Sequence, residues 1–414
     1  MGNYSIVLII LAIMIGLSAV ADRIKLPYPV LLVTGGIAIG FMPWLPKISL
    51  DPEIVFLIFL PPLLFEAAFN ISFAEFKTNA NTIGTLAITL VFLTTVGIAV
   101  VAHYMVPGMS WPLSFVLGAI LSATDSVAAT SITKGLNLPH KTITILEGES
   151  LVNDASALVA YRFAVAAVTG TAFIIWKASI QFIILMGGGL LVGFIMARIL
   201  MFVLDRVRKN NLVAISFMLL QPFITYLVAE DFKVSGVIAV VTLGLVMARI
   251  KSKDVPVELR QQSKSIWDII IFLLNGLIFI LIGLQLPFVV KSITNNHTLL
   301  LYIGYAFLIT LTALLLRMAR VFLQKINLQR AFKKGHKKIT EGALLDHKNS
   351  LVISWSGMRG IVSLAIAIGL PLTLKDGSPF PQRAAIIFIS VMVVLFTLIG
   401  QGLFLPWLVK RLKL

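Results

Sequence analysis

The chain has 414 residues, of which 58% are hydrophobic and 13% charged, with no cysteine and a formal net charge of +16. Water-soluble domains carry about 25% charged residues, so this composition, with a mean hydropathy of +0.99, makes hydrocarbon the main solvent of the chain. It excludes a soluble globular enzyme, and the lack of cysteine excludes disulfides and thiolate metal sites.

Apolar windows recur along the whole length, each long enough to cross a hydrocarbon core of about 30 Å at about 1.5 Å per residue. In chain order they lie at about 4–21, 28–46, 53–71, 82–106, 111–134, 144–170, 178–204, 212–228, 233–250, 265–287, 297–324, 350–373 and 384–409. The pattern predicts an all-α polytopic membrane protein with about thirteen transmembrane helices. No Lys or Arg precedes the first window, which reads as a retained helix and not as a cleaved signal. In the third window, "LPPLLF" places Pro61 and Pro62 just before Glu66, where they are expected to distort the helix.

Two windows break their apolar pattern. The fifth does so at Ser122 to Ser126, in "SATDS", and the twelfth at Ser354 to Gly360, in "SWSGMRG". With the spans counted as two six-helix sets around the seventh, both are fifth members. Paired interruptions at matching places predict inverted repeats with a site near the midplane. The backbone groups freed there need protein partners, which Ser, Thr and Asp side chains supply locally.

Charge placement sets the topology. Loops after odd-numbered windows, with the C-terminal tail, hold 23 Lys and Arg, and the opposite loops hold six. That asymmetry predicts an external N-terminus, a cytoplasmic C-terminus and an odd number of spans. The basic run "QRAFKKGHKKITEGALLDHK" then serves topology and attraction to anionic lipid headgroups, with no call for nucleic acid. No polar segment is long enough for a soluble domain, so function must sit among the helices.

Ionisable groups inside spans cost roughly 2.5–3.5 kcal/mol each and need a partner or a task. The candidates are Glu66, Asp125, Glu147, Glu149, Asp154, Arg162 and Arg359. Helical spacing puts Ser150 and Asp154 one turn apart on one face with Asn153 beside them, and Glu149 about 140° away. One carboxylate among neutral oxygens suits a hard monovalent cation such as sodium, and Glu66 and Thr124 are placed to complete the shell. The alternative for Asp154 is a buried carboxylate that pins helices together.

For Glu149 the expected partner is Arg359, with direct ligation as the alternative. Asp125 reads as a cap on the second half of the broken fifth span, or as a ligand. Arg162, two turns past Asp154, can bias the field without contact. Glu147 is interfacial, and His103 with Tyr104 sits at the outer end of its span as an interfacial histidine in preference to a proton relay.

"LPPLLFEAAFN", "ATDSVAAT", "EGESLVNDASALVAYRF" and "WSGMRGIVSLAIA" together resemble the NhaP and NHE branch of the monovalent cation:proton antiporters, with "EGESLVND" the specific element. The resemblance implies a homodimer in the cell membrane, with two broken helices crossing at the midplane. It implies ion-carrying core helices at about 53–170 and 265–373, and a dimerisation scaffold from 1–52, 178–250 and 384–414. Asp154 then takes cation or proton in competition, Ser150, Glu66 and Thr124 supply ligands to Na+, Asn153 organises the site, and Glu149 with Arg359 forms a core salt bridge. Asn in front of the Asp implies electroneutral exchange. One departure is Ser126, where relatives commonly have Pro. No cofactor is implied beyond transported Na+ or Li+ and H+.

Rival readings are a potassium/proton antiporter of the same fold, a passive cation channel, and an intramembrane enzyme. A channel needs a continuous polar stripe or a carbonyl ring, whereas the polar residues here cluster near mid-span. No Gly-x-Ser-x-Gly or His-Glu-x-x-His element is present, so the chain reads as a transporter and not an enzyme.

Overall fold

The computed structural model describes residues 3–24, 26–42, 52–132, 138–170, 175–207, 210–250, 257–291, 296–335, 340–374 and 376–412. The described residues form helices α1 (Asn3–Ile24), α2 (Tyr28–Gly40), α3 (Pro52–Asn70), α4 (Phe73–Gly84), α5 (Val91–Met105), α6 (Trp111–Ile120), α7 (Ser126–Ile132), α8 (His140–Val168) and α9 (Ile175–Val207). They continue with α10 (Asn211–Asp231), α11 (Gly236–Ile250), α12 (Val257–Lys291), α13 (Asn296–Lys333), α14 (His347–Trp355), α15 (Ile361–Ile368), α16 (Arg383–Leu395) and α17 (Gly402–Leu412). Among the described residues seven helical stretches are long and apolar enough to cross a membrane, and shorter apolar helices accompany them. The chain is thus an all-helical, multi-pass membrane protein.

Both interruptions read from the sequence are present. The backbone leaves helical geometry between α6 and α7, and again between α14 and α15. Two further stretches are π-helical, Thr85–Leu90 between α4 and α5 and Phe396–Gln401 between α16 and α17, a geometry frequent near functional positions. Pro61 and Pro62 do not end α3, which runs through both.

Contacts divide the chain into two units. The first comprises residues 1–50, 78–171 and 275–414, and the second residues 51–77 and 172–274. In the second unit α11 packs on both α3 and α9. Small residues let these backbones approach: a side chain at Gly244 would meet Ala68 Cβ at 2.6 Å and the Phe65 carbonyl at 2.9 Å. Phe65, fully buried, lies against Trp267 with ring centroids 5.4 Å apart.

In the first unit Leu86, Leu90, Ile145, Leu146, Val321, Leu328, Leu345 and Ile353 form one buried cluster that joins the start of α8 to α13 and α14. Asp346 caps α14 by accepting from the Asn349 amide at 2.9 Å. Lys141 Nζ donates to the carbonyls of Gly342, at 2.6 Å, and Leu344, and so ties the start of α8 to the same segment. α5 meets α6 and α13 at glycines: a Cβ on Gly118 would strike the Thr95 carbonyl oxygen, and one on Gly97 the Leu316 side chain.

Backbone cannot retreat as a side-chain tip can, so Gly118→Leu is expected to cost about 3 kcal/mol or more through overpacking. Gly97→Ala, which meets only a leucine methyl, is expected to cost about 1 kcal/mol. Thermal unfolding of the purified variants in detergent checks the order.

Candidate functional site

The site lies in the first unit, where α8 passes the two interrupted helices. At the crossing the Asp125 amide donates to the Met358 carbonyl at 2.8 Å, so the two breaks satisfy one another. The charges there match the helix ends. Arg359, 2% exposed, donates from Nε to the Leu121 carbonyl at 3.0 Å and from Nη1 to the Gly357 carbonyl. Leu121 closes α6 and Gly357 lies just past the end of α14, so the cation sits on the negative ends of both first halves. Asp125 serves the opposite ends. Its Oδ1 accepts from the Ala128 amide at 3.3 Å in the first turn of α7, and its carboxylate lies against Gly360, which precedes α15 and has no room for a Cβ there.

Glu149 is 1% exposed and is held by Arg317 of α13, not by Arg359. Arg317 Nη1 bonds Oε1 and Nη2 bonds Oε2 at 2.8 Å, a two-pronged pair, while Nε donates to the Ile353 carbonyl at 3.0 Å. This corrects the expected Glu149–Arg359 bridge. Arg359 is committed to carbonyls, with its own backbone amide donating to Thr397 Oγ1 at 3.0 Å. The signal that would have found Arg317 is its place inside the eleventh apolar window, in "ALLLRMARVFL", where the rule for charged residues in spans applies to it as to the others. Gly357 in the twelfth-span break makes room for it, because a Cβ there would run into Arg317 Cδ and Nε.

A chain of hydrogen bonds runs on from the ion pair. Thr124 Oγ1 donates to Glu149 Oε1 at 3.2 Å and accepts from Asn153 Nδ2 at 2.7 Å. Since the threonine proton is directed to the carboxylate, the asparagine must present its amide nitrogen to Thr124. Asn153 Oδ1 is then left buried without a hydrogen-bond partner among the described residues. Ser150 Oγ donates to the Thr124 carbonyl at 3.0 Å and accepts from the Ser126 amide at 3.3 Å. Ser126 thus braces the break through its backbone.

Asp154, which follows Asn153, is 7% exposed and has no hydrogen bond or ion pair among the described residues. Asp125 is near enough for its charge to act on Asp154. The structure therefore brings Asp154, Asn153, Ser150, Thr124, Asp125, Glu149 and Arg359 into one unit and adds Arg317. Glu66 belongs to the second unit, where it accepts from Asn70 Nδ2 at 2.5 Å. Arg162 is exposed and Glu147 half-buried. His103 stacks on Trp111 with centroids 4.1 Å apart, and its Nδ1 lies 2.8 Å from the Met109 carbonyl.

The sodium/hydrogen exchanger transmembrane family model matches residues 8–411. The chain belongs to this family. A Bacillus pumilus relative named as a sodium, potassium, lithium and rubidium/H(+) antiporter is 37% identical over 98% of this chain and 61% of its own length. Thus the chain spans about three fifths of that exchanger. The Na(+)/H(+) antiporter ApNhaP of Aphanothece halophytica is 33% identical over 98% of this chain and 74% of its own. The sodium proton antiporter MjNhaP1 of Methanocaldococcus jannaschii, solved at pH 8, has the same fold, with a TM-score of 0.74 at 22% identity over 99% of this chain and 98% of that one.

Within this member of the family, removing one partner of a buried pair strands the other charge. Arg317→Met is expected to lower stability by about 3–5 kcal/mol, and Glu149→Gln combined with Arg317→Met to recover much of that loss. Melting temperatures of the two single variants and the double variant provide the check.

Proposed function

We propose that the chain exchanges sodium or lithium for protons across the cell membrane, with Asp154 as the carboxylate that takes either ion in turn. The observation that carries this reading is the contrast between two buried acids on α8. Glu149 is neutralised by Arg317, whereas Asp154 has no cationic partner among the described residues. An uncompensated carboxylate at this depth is costly and is relieved by a proton or by a small cation. Competition for one group then couples the two fluxes, because the loaded forms cross and the bare anion does not.

Asn153 Oδ1, on the residue before Asp154 in the chain, is a buried oxygen without a hydrogen-bond partner among the described residues. Ser150 Oγ donates to the Thr124 carbonyl at 3.0 Å, and that oxygen also accepts from Asn153 Nδ2 at 3.5 Å, so Ser150 and Thr124 are proposed to exchange these hydrogen bonds for the cation when it binds. Glu66 is proposed as a further cation ligand. A neutral residue at position 153 makes one carboxylate the carrier, so the exchange is one for one and moves no net charge. The same reading includes a homodimer, an external N-terminus, a cytoplasmic C-terminus, and the division into core helices at about 53–170 and 265–373 with the remainder as scaffold.

Potassium as the preferred cation is the second reading. It is favoured by the relative whose name includes potassium and rubidium, and oxygen ligands alone do not fix cation size.

In proteoliposomes, Asp154→Asn is expected to abolish cation-driven proton movement, with the protein still folded by thermal unfolding. Exchange at the native rate in that variant would remove Asp154 from its role. Dilution into sodium, lithium or potassium ranks the cations, and a membrane-current measurement during exchange is expected to read zero.

A further inference from the structure

At the ends of α2 and α7 two hydroxyls meet across a separation of 103 residues: Tyr28 Oη lies 3.1 Å from Ser131 Oγ, and either can donate. Tyr28 is the first residue of α2 and is half-buried, with its ring edge-on to Phe279 of α12 at a centroid distance of 6.1 Å. Ser131 is the penultimate residue of α7, the half-helix that Asp125 caps. The third side is closed by α17. A side chain on Gly402 would come within 2.9 Å of Ile132 Cδ1, 3.6 Å of Val30 Cγ2 and 3.9 Å of Met358 Sδ. The pair is six residues along α7 from Asp125, about 9 Å at 1.5 Å per residue.

Arg23 and Lys25 precede Tyr28 in the sequence, and Lys134 follows Ser131. The excess of basic residues therefore puts this junction on the cytoplasmic side of the site. In the division proposed above, α2 belongs to the scaffold and α7 to the ion-carrying core. We infer that the Tyr28–Ser131 hydroxyl pair is a latch across that division, which holds the cytoplasmic approach to Asp154 closed and parts when the core shifts. A single hydrogen bond between neutral groups suits the task, since it biases one conformation and is easily broken.

The inference rests on the alternating-access reading, but its test needs no transport. The chain has no cysteine, so Thr130→Cys, one residue before Ser131, introduces a unique thiol. In inside-out vesicles, labelling of Thr130→Cys by a membrane-impermeant maleimide reports opening from the cytoplasmic side. Adding Tyr28→Phe is expected to speed labelling about fivefold, the opening allowed by loss of one hydrogen bond of ordinary strength. Ser131→Ala should give the same increase, and the double variant no further one, because one bond cannot be lost twice.

Unchanged labelling in both single variants, or a double variant whose increase is the product of the two, overturns the latch. If Tyr28→Phe does not accumulate as folded protein, Ser131→Ala decides alone. An unchanged labelling rate together with loss of exchange in Asp154→Asn removes the latch and keeps the carrier. Native exchange in Asp154→Asn with labelling still accelerated by Tyr28→Phe does the reverse.

Discussion

The buried pair between Arg317 and Glu149 is the constraint around which the rest of the site is arranged. A guanidinium and a carboxylate, both nearly inaccessible to water, are tolerable in hydrocarbon only when paired and fully hydrogen-bonded. The pair therefore fixes α13 against α8 and, through the Ile353 carbonyl, against α14. Gly357 must be a glycine for the guanidinium to reach its place. Once Glu149 is held, Thr124 has a defined acceptor, and once Thr124 is oriented, Asn153 has a defined donor direction. Asp154 is left as the buried acid on this helix with no cationic partner among the described residues.

Interrupting two helices inside a bilayer exposes backbone groups where water is scarce. Here the cost is met by crossing the breaks. Asp125 and Met358 share a backbone hydrogen bond, Arg359 serves the carbonyl ends of α6 and α14, and Asp125 serves the amide end of α7 and lies beside that of α15. The two charged groups are thus placed at helix ends of opposite sign. In the proposed carrier they form an electrostatic framework around the site.

Contact strength differs with position in the first unit. The ion pair and its hydrogen-bond chain join α8, α13, α14 and the fifth-span break, all placed in the proposed moving core. The α2 to α7 junction, at the proposed core boundary, has among the described residues one neutral hydroxyl pair and close apolar contacts. Strong, geometrically demanding bonds suit parts that travel together, and weak ones suit surfaces that separate.

The sequence by itself determined a good deal of this protein. Apolar windows require membrane helices because hydrocarbon demands satisfied backbone. The polar interruptions at Ser122 to Ser126 and Ser354 to Gly360 mark the broken helices, and one-turn spacing puts Ser150 and Asp154 on one face with Glu149 turned away. These are local properties of a helix, and periodicity reads them directly. Only the tertiary structure decided which cation neutralises Glu149. Arg317 and Arg359 both lie deep in apolar windows, and nothing in helical spacing ranks partners separated by 168 residues. That choice depends on the packing of α13 against α8 and on the space left by the missing side chain at Gly357. The hydroxyl pair of Tyr28 and Ser131 was hidden for the same reason, since each is an ordinary polar residue at a helix end until the fold sets the two ends side by side.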